Sequence, residues 1–347
     1  MRFAPLLLLA LASAAAAAAQ SLPVAAPGRT ALVIHGGAGF VPQESLTDAD
    51  RKEIDETLNR ALDAGNAVLQ KGGPALDAVQ AAILVLEESP RFNAGKGAVF
   101  NARGGHELDA AVMEGHTRRA GAVAGVTTVR NPIRLARAVM ERSPHVMLAG
   151  EGAEAFADTQ KDIERVPNGW FDTPHRRRQL EEAQRKEQAQ RAAVRAPGDD
   201  GNDGRRYLGT VGAVALDRDG HIAAGTSTGG MTNKRWGRVG DAPIIGAGTW
   251  ADAGCGVSGT GWGEFYIRAG AARDICARVE YRGETLQAAA DEVINKVIPA
   301  MGGDGGAIAL DIEGNIAMPF NSGSMFRGWI RPDGSRGVAI HGEGTTR

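Results

Sequence analysis

The stretch that decides the fold is Gly209-Thr210-Val211-Gly212-Ala213-Val214, a threonine at the start of a short apolar strand. A threonine hydroxyl is not ionised near neutral pH and needs an adjacent base to act as a nucleophile. A free α-amine, with an unperturbed pKa of about 7.7–8.0, is such a base. Cleavage between Gly209 and Thr210 would create it, and glycine tolerates the strained backbone that this step requires. The dipeptide alone is better explained as an ordinary strand start.

Further motifs on both sides of Thr210 change this interpretation. Downstream lie Thr226-Ser227-Thr228-Gly229-Gly230-Met231-Thr232-Asn233-Lys234, Gly237-Arg238-Val239-Gly240-Asp241 and Ser258-Gly259-Thr260-Gly261-Trp262-Gly263-Glu264. Upstream lie His35-Gly36-Gly37-Ala38-Gly39, Glu107-Leu108-Asp109-Ala110 and the segments 86–97, 121–126 and 143–146. In this order, the motifs resemble the plant-type asparaginase and isoaspartyl peptidase family of N-terminal-nucleophile hydrolases.

The resemblance implies an α+β fold, a four-layer αββα sandwich made as a precursor that cuts itself between Gly209 and Thr210. One domain would then consist of an α subunit, residues 20–209, and a β subunit, residues 210–347. Two such αβ units are expected to form a dimer.

The resemblance also implies a role for each catalytic residue. Thr210 would be the nucleophile and, through its amine, the general base, while Thr228 would orient its hydroxyl. Thr260 and Gly261 would donate hydrogen bonds to the oxyanion, and losing one such donor typically costs 10²- to 10³-fold in rate. Asn93 would help to hold the nucleophile region. No cofactor is expected to take part in catalysis.

Substrate binding is expected to depend on two charges three positions apart. Arg238 would bind the α-carboxylate of an aspartyl group with its planar donor fork, and Asp241 would receive the α-ammonium. Gly263 would line the same pocket. The expected substrates are β-aspartyl dipeptides and L-asparagine.

A structural sodium ion is implied by the resemblance, held by main-chain carbonyls. The residues concerned are Leu86, Glu87, Ser89, Phe92, Ala94 and Lys96. Lys96 departs from the usual apolar residue, Gly259 stands where many relatives have Cys or Ser, and Trp262 replaces a smaller residue. Trp262 could narrow the pocket or stack on the leaving group.

Composition excludes several other functions. The formal net charge is -2 and the pI is about 6.4, which argues against attraction to nucleic acid or anionic lipid. Missing motifs argue against three further kinds of site. The sequence has no signature of a phosphate-binding loop, no His pair at the spacing of a metal site and no Gly-x-Ser-x-Gly elbow of an α/β-hydrolase.

The N-terminus has the pattern of a secretory signal peptide over residues 1–19. Arg2 precedes an apolar run, which fades into small residues ending at Ala19. The alternative, a retained membrane anchor, needs about 20 strongly apolar residues. We therefore expect a secreted protein that has no membrane segment after cleavage, most simply in a bacterial periplasm.

A charged segment, residues 161–209, is expected to be the loose tail of the α subunit. Its first part is predicted to be a polar helix and its last part, rich in Pro, Gly and Asp, to be disordered. The basic cluster at 175–178 is followed by Glu181 and Glu182, which favours a solvated helix face over a nucleic-acid site.

Local patterns predict several further features. Helices are expected after Thr47 or Asp48, from Pro74 and from Pro132, and a strand over residues 243–249. Two similar hairpins, at 216–223 and 310–317, suggest one shared antiparallel sheet. Cys255 and Cys276 lie in different elements without framework spacing, which favours two unbridged cysteines.

Two rival functions remain at this point. A glycosylasparaginase shares the nucleophile, although the motifs at 238–241 and 260–263 are more similar to the peptidase branch. A periplasmic amino-acid-binding protein would use Arg238 and Asp241 without catalysis, and its chain would remain uncut.

Overall fold

Two β-sheets form the centre of the protein, which the computed structural model describes over residues 28–193 and 209–342. The strands in this part are β1 (Ala31–Gly39), β2 (Leu108–Glu114), β3 (Ala120–Val126), β4 (Met147–Ala149), β5 (Val211–Leu216), β6 (Ile222–Thr228), β7 (Thr249–Ala251), β8 (Cys255–Gly261), β9 (Gly305–Asp311), β10 (Ile316–Ala317), β11 (Ser324–Ile330) and β12 (Arg336–Ala339). The larger sheet has the order β12-β11-β1-β5-β6-β2-β3-β4 and the smaller β10-β9-β8-β7. Every neighbouring pair is antiparallel except β3 and β4.

Helices cover the outer faces of both sheets. They are α1 (Asp48–Gln70), α2 (Ala75–Glu87), α3 (Pro132–Arg142), α4 (Gly150–Asp158), α5 (Pro174–Ala193), α6 (Gly263–Ala269), α7 (Ala271–Arg282), α8 (Leu286–Glu292) and α9 (Ile298–Ala300), with a π-helical segment at Val293–Val297. Thr47 caps α1 in a capping box with Asp50, as one of the two predicted caps. Pro74 is the cap of α2 rather than its first helical residue.

Three apolar cores separate the layers. The first lies between α1–α3 and the large sheet and includes Leu58, Ile83 and Ile133. The second lies between the sheets, and the third between the small sheet and helices α7 and α8. The layers therefore follow one another as helix, sheet, sheet and helix, which confirms the predicted αββα sandwich.

Strand β5 is central in the large sheet, between β1 and β6, and all six of its residues are buried. Val211, Ala213 and Ala215 face the helical layer, whereas Val214 and Leu216 face the second sheet. This alternation is the period-two pattern of a strand whose two faces are both covered. The packing of both faces of β5 therefore fixes the position of Thr210, which immediately precedes the strand.

Two predictions from local pattern are wrong. The hairpins at 216–223 and 310–317 belong to different sheets, since β5 and β6 lie in the large sheet and β9 and β10 in the small one. Residues 243–248 form turns, and the strand here is only Thr249–Ala251. Short apolar runs do not specify their partner strand, which is decided by long-range packing.

The charged segment is ordered as far as it is described. Its polar helix is present as α5, but Arg176 is only 1% exposed. Arg176 Nε donates to the Gly97 carbonyl at 2.7 Å and NH1 to Gln179 at 2.9 Å, and burial lowers the pKa of Arg176 to about 10. A solvated face is thus the wrong interpretation for Arg176. Residues 194–208 of this segment lie outside the described residues.

Cys255 on β8 and Cys276 on α7 form a disulfide, with Cα atoms 5.6 Å apart. The expectation of two unbridged cysteines is therefore wrong. The two residues are 21 positions apart in sequence, and only the packing of α7 on β8 brings them together.

The predicted signal peptide, residues 1–19, lies outside the described residues. Across the ranges 28–193 and 209–342, none of the helices combines the length and the apolar character needed to span a bilayer.

Candidate active site

Thr210 immediately precedes β5, and its side chain meets that of Thr228, the last residue of β6. Thr210 Oγ1 donates a hydrogen bond to Thr228 Oγ1 at 3.1 Å, and Thr228 Oγ1 also accepts the Gly230 N–H at 3.0 Å. Both threonines are buried. Because the Thr228 hydroxyl is held from a second side, it fixes the orientation of the Thr210 hydroxyl.

Gly209 lies against Thr260, near the end of β8. The Gly209 N–H donates to the Ala38 carbonyl at 3.3 Å, and the Ala38 N–H donates to Thr260 Oγ1 at 2.9 Å. A Cβ added at Gly209 would lie 2.4 Å from Thr260 Oγ1, so a larger residue does not fit without displacing this hydroxyl. The Thr260 side chain is thus next to the residue that precedes Thr210.

Asn93 forms hydrogen bonds to the turn that follows β6. Its Nδ2 donates to the Gly230 carbonyl at 2.7 Å, its Oδ1 accepts the Val99 N–H at 3.0 Å, and its carbonyl accepts the Gly229 N–H at 3.2 Å. The predicted nucleophile region and the segment 86–97 are therefore directly connected.

One small cavity brings together most of the predicted site residues, although Asn93 and Thr260 do not line it. Its lining residues are Gly209, Thr210, Thr228, Gly230, Met231, Arg238, Gly240, Asp241 and Gly261. Gly263 lies at its edge, since an added Cβ there would be 2.7 Å from Asp241 Oδ1. The hydroxyl-bearing Thr210, the cationic Arg238 and the anionic Asp241 thus line the same cavity.

Arg238 is paired with Glu264, whose role the sequence motifs did not predict. Its Nε and NH2 donate to the two carboxylate oxygens of Glu264, each at 2.9 Å. This two-point contact fixes the plane of the guanidinium group. In the sequence, this role is indicated only by the position of Glu264 at the end of the motif at residues 258–264.

Asp241 is buried, and its Oδ2 has no hydrogen-bond partner among the described residues. Burial raises the pKa of Asp241 to about 6, and the charge of Arg238 opposes this rise. Asp241 is therefore mainly an anion at neutral pH, with one buried oxygen that the described residues leave without a hydrogen-bond partner. Buried charge of this kind is typical of binding and catalytic sites.

A buried ion pair between Lys234 and Asp109 lies beneath the site, and the sequence motifs did not predict it. Lys234 Nζ is 4.0 Å from Asp109 Oδ2 and donates to the Glu107 carbonyl at 2.7 Å. Lys234 also packs against Gly230, whose added Cβ would lie 2.8 Å from Nζ. The pair therefore supports the turn that holds Thr228.

A chain of buried hydroxyl groups runs behind β5. His35 Nε2 lies 2.9 Å from Ser258 Oγ, which is 2.7 Å from Thr226 Oγ1, and Thr249 Oγ1 donates to Thr226 Oγ1 at 2.6 Å. Burial lowers the pKa of His35 to about 3, so the imidazole is neutral. This chain connects β1, β6, β7 and β8 behind Thr210.

The segment 86–97 has main-chain carbonyl groups packed closely against two of its glycines. An added Cβ on Gly95 would lie 2.3 Å from the Glu87 carbonyl oxygen, and one on Gly97 would lie 2.0 Å from that of Phe92. Carbonyl oxygens thus turn inward around two glycines, and such oxygens are the ligands that a hard cation prefers.

The Lys96 ammonium does not point to solvent. It contacts the Trp170 carbonyl and lies 4.5 Å from the centre of the Trp170 ring.

A cluster of Asp217, Asp219 and His221 occupies the β5–β6 turn. Asp217 Oδ1 accepts the backbone N–H groups of Asp219 and His221, so the arrangement is that of a hydrogen-bonded turn.

Trp262 lies between Gly261 and the first residue of α6. It packs edge-on against Phe265, with ring centroids 5.0 Å apart, and its side chain hydrogen-bonds Glu264. The indole is therefore tied to the carboxylate that holds Arg238.

Comparisons with known proteins show which proteins this chain is similar to. The family model described as Asparaginase matches residues 28–340. The isoaspartyl peptidase of Escherichia coli (strain K12) is 49% identical over 303 residues, covering 87% of this chain and 93% of that protein. The probable isoaspartyl peptidase/L-asparaginase 2 of Arabidopsis thaliana is 43% identical over 327 residues, covering 90% and 99%.

The isoaspartyl peptidase/L-asparaginase of Homo sapiens is 40% identical over 297 residues, covering 85% of this chain and 91% of that protein. With a family model that matches most of the chain and relatives aligned over nearly their full length, the chain belongs to the plant-type asparaginase and isoaspartyl peptidase family of N-terminal-nucleophile hydrolases.

Proposed function

We propose that this protein hydrolyses the side-chain amide bond of β-aspartyl dipeptides and L-asparagine, with Thr210 as the nucleophile. The observation that carries the proposal is the shared cavity, in which the Thr210 hydroxyl lies with Arg238 and Asp241. These two charges match the α-carboxylate and α-ammonium of an aspartyl group. Relatives named isoaspartyl peptidase or isoaspartyl peptidase/L-asparaginase support the same substrate class.

The enzyme would first cut its own chain. The Thr210 hydroxyl attacks the Gly209 carbonyl carbon, the Gly209–Thr210 C–N bond breaks, and an ester and a free α-amine form. Water then hydrolyses the ester, which releases the Gly209 carboxylate and regenerates the hydroxyl. The contacts of Gly209 with Ala38 and Thr260 support this step because they hold the reacting peptide next to a hydroxyl group.

In turnover, the Thr210 amine takes the hydroxyl proton while Oγ1 attacks the substrate side-chain carbonyl carbon. The Thr260 hydroxyl and the Gly261 N–H donate to the resulting oxyanion. The carbon–nitrogen bond then breaks, and the leaving amine takes a proton from the Thr210 ammonium. Water, deprotonated by the same amine, hydrolyses the β-aspartyl ester and releases L-aspartate.

The other residues would position these groups. Thr228 orients the Thr210 hydroxyl, Asn93 holds the turn beside it, and Gly263 leaves room for the substrate. A sodium ion bound by the carbonyls of segment 86–97 would stiffen this support without entering the reaction. The residues that would hold it are Leu86, Glu87, Ser89, Phe92, Ala94 and Lys96.

The proposal includes the expected processing and location. Residues 1–19 would be removed as a signal peptide, and residues 20–209 and 210–347 would form the α and β subunits of a secreted, dimeric, periplasmic enzyme. Signal cleavage is tested by N-terminal sequencing of the protein from a periplasmic extract, and the dimer by sedimentation.

The intact mass of the purified protein after incubation at neutral pH tests the mechanism. A mass matching residues 210–347, absent in Thr210→Ala, followed by release of aspartate from a β-aspartyl dipeptide, is the expected result. A single uncut mass in both proteins would remove the base on which the mechanism depends. Saturable aspartate binding by both uncut proteins would instead favour a binding protein.

A further inference from the structure

The loop at 231–241 carries Arg238 and Asp241, and its backbone is strained. Asn233 and Trp236 have φ angles of 64° and 55°, in the left-handed region that non-glycine residues rarely adopt. Such conformations persist where surrounding contacts enforce them. The Trp236 side chain is 96% exposed, so its burial does not supply the enforcing contact.

Helix α5 supplies a contact to this loop through Glu187. Its Oε2 accepts a hydrogen bond from Asn233 Nδ2 at 3.0 Å, and its two oxygens accept from Arg235 NH1 and NH2 at 2.8 and 2.5 Å. Glu187 thus holds one left-handed residue directly and the residue preceding the other. The side chains of Arg235 and Glu187 are about 30% exposed, so solvent only partly screens the pair.

Helix α5 is itself fixed to the body of the protein. The buried Arg176 binds the Gly97 carbonyl, and Gln184 Nε2 donates to the Ala102 carbonyl at 3.2 Å. The loop is also tied to the segment beneath α5, since Ala102 N–H donates to the Lys234 carbonyl and Asn233 N–H to that of Phe100, both at 2.9 Å. Glu187 therefore connects a fixed helix to a strained loop.

We infer that Glu187 is a positioning residue for substrate binding, acting on Arg238 and Asp241 through Asn233 and Arg235. The inference rests on the proposed function. In a chain cut after Gly209, Glu187 would belong to the α subunit and the loop to the β subunit. A part of the α subunit that touches no substrate would then set the affinity of a site formed largely by the β subunit.

Two variants of graded severity test the inference. Glu187→Gln removes the charge but keeps an oxygen for Asn233, whereas Glu187→Ala removes both contacts. We expect KM for a β-aspartyl dipeptide to rise about threefold in the first and at least tenfold in the second, with kcat within about twofold of the wild-type value. Glu181→Gln, on the exposed side of α5, is the matched control and should retain the wild-type KM.

A wild-type KM in both Glu187 variants, or a lower kcat with an unchanged KM, would overturn the inference. Intact mass checks that each variant is cut to the same extent as the wild-type protein. If the wild-type protein hydrolyses no β-aspartyl substrate, the proposed function has failed, and calorimetric titration with L-aspartate decides the inference separately. A tenfold weaker Kd in Glu187→Ala would still support it, and an unchanged Kd would contradict it.

Discussion

Asp109 on β2 lies directly opposite Thr228 on β6 in the ladder of the large sheet. Asp109 is fully buried, and Lys234 is the cation nearest to its unbonded Oδ2. Burial raises the pKa of Asp109 and lowers that of Lys234, while each charge opposes the shift of the other. The residue that orients Thr210 is thus paired with one half of a buried ion pair.

Lys234→Met should be strongly destabilising, because it leaves the Asp109 carboxylate buried without a cation. Breaking a buried pair in this way typically costs about 3–5 kcal/mol. Urea unfolding monitored by circular dichroism measures the loss. Lys296→Met removes an exposed pair with Glu292, which solvent screens, and should leave stability nearly unchanged. Equal effects of the two substitutions would show that the buried pair has no special role.

Substrate binding should weaken as the pH falls through about 6. Below this pKa, Asp241 is protonated and cannot pair with the substrate ammonium. At pH 5 about one tenth of the Asp241 side chains would be ionised, so KM should be roughly tenfold higher than at pH 7. Steady-state kinetics between pH 5 and 7 measure this rise.

The control for the pH profile is Asp241→Asn, in which KM should be high and independent of pH over the same range. A pH-dependent rise in KM that persists in this variant would assign the titration to another group.

Gly209→Ala should slow self-cleavage at least tenfold, because its Cβ would lie 2.4 Å from Thr260 Oγ1. Intact mass sampled over time measures the rate. Gly254→Ala is a suitable control, since its added Cβ would meet Asp252 Oδ1 at an ordinary 3.8 Å. Cleavage of Gly209→Ala at the control rate would mean that Thr260 is not the constraint at this peptide.

Replacing both Cys255 and Cys276 by Ala should lower stability by about 3 kcal/mol, the chain-entropy value for a loop of this length. Urea unfolding of the double variant measures this loss, and a reductant should destabilise the wild-type protein but not the variant. Both cysteines lie after residue 210, so reduction should not change the number of chains on a denaturing gel. A chain released only by reductant would show that the bridge has other partners.

Local sequence predicted those features that depend on neighbouring residues. The order of residue types predicted the strand directly after Thr210, the N-cap of Thr47 and the helix after Asn131. The motifs likewise identified the residues that line the cavity, because backbone geometry brings Thr228 and Gly261 to strand ends next to Thr210.

Pairings across the fold could not be predicted in this way. In each such pair, the two residues are close only because of the way in which helices, strands and loops pack. The pairs are Glu264 with Arg238, Glu187 with Arg235 and Cys255 with Cys276. Arg176 shows the same limit, since a basic run on a polar helix has the same pattern whether the helix is solvated or docked.

The order of strands in the large sheet has a consequence for assembly. Strands β11 and β12 come from the part after residue 209, β1 from the part before it, β5 and β6 again from the later part, and β2–β4 from the earlier. A cut at this point would leave two interleaved pieces joined along three ladders, and neither piece could leave without exposing long unpaired edges. The chain would have to be continuous while it folds. After the cut, the two folded pieces would stay together without a covalent link. The unfolded cut protein would therefore have no direct route back to its native state, since its reassembly would have become a bimolecular search between aggregation-prone fragments.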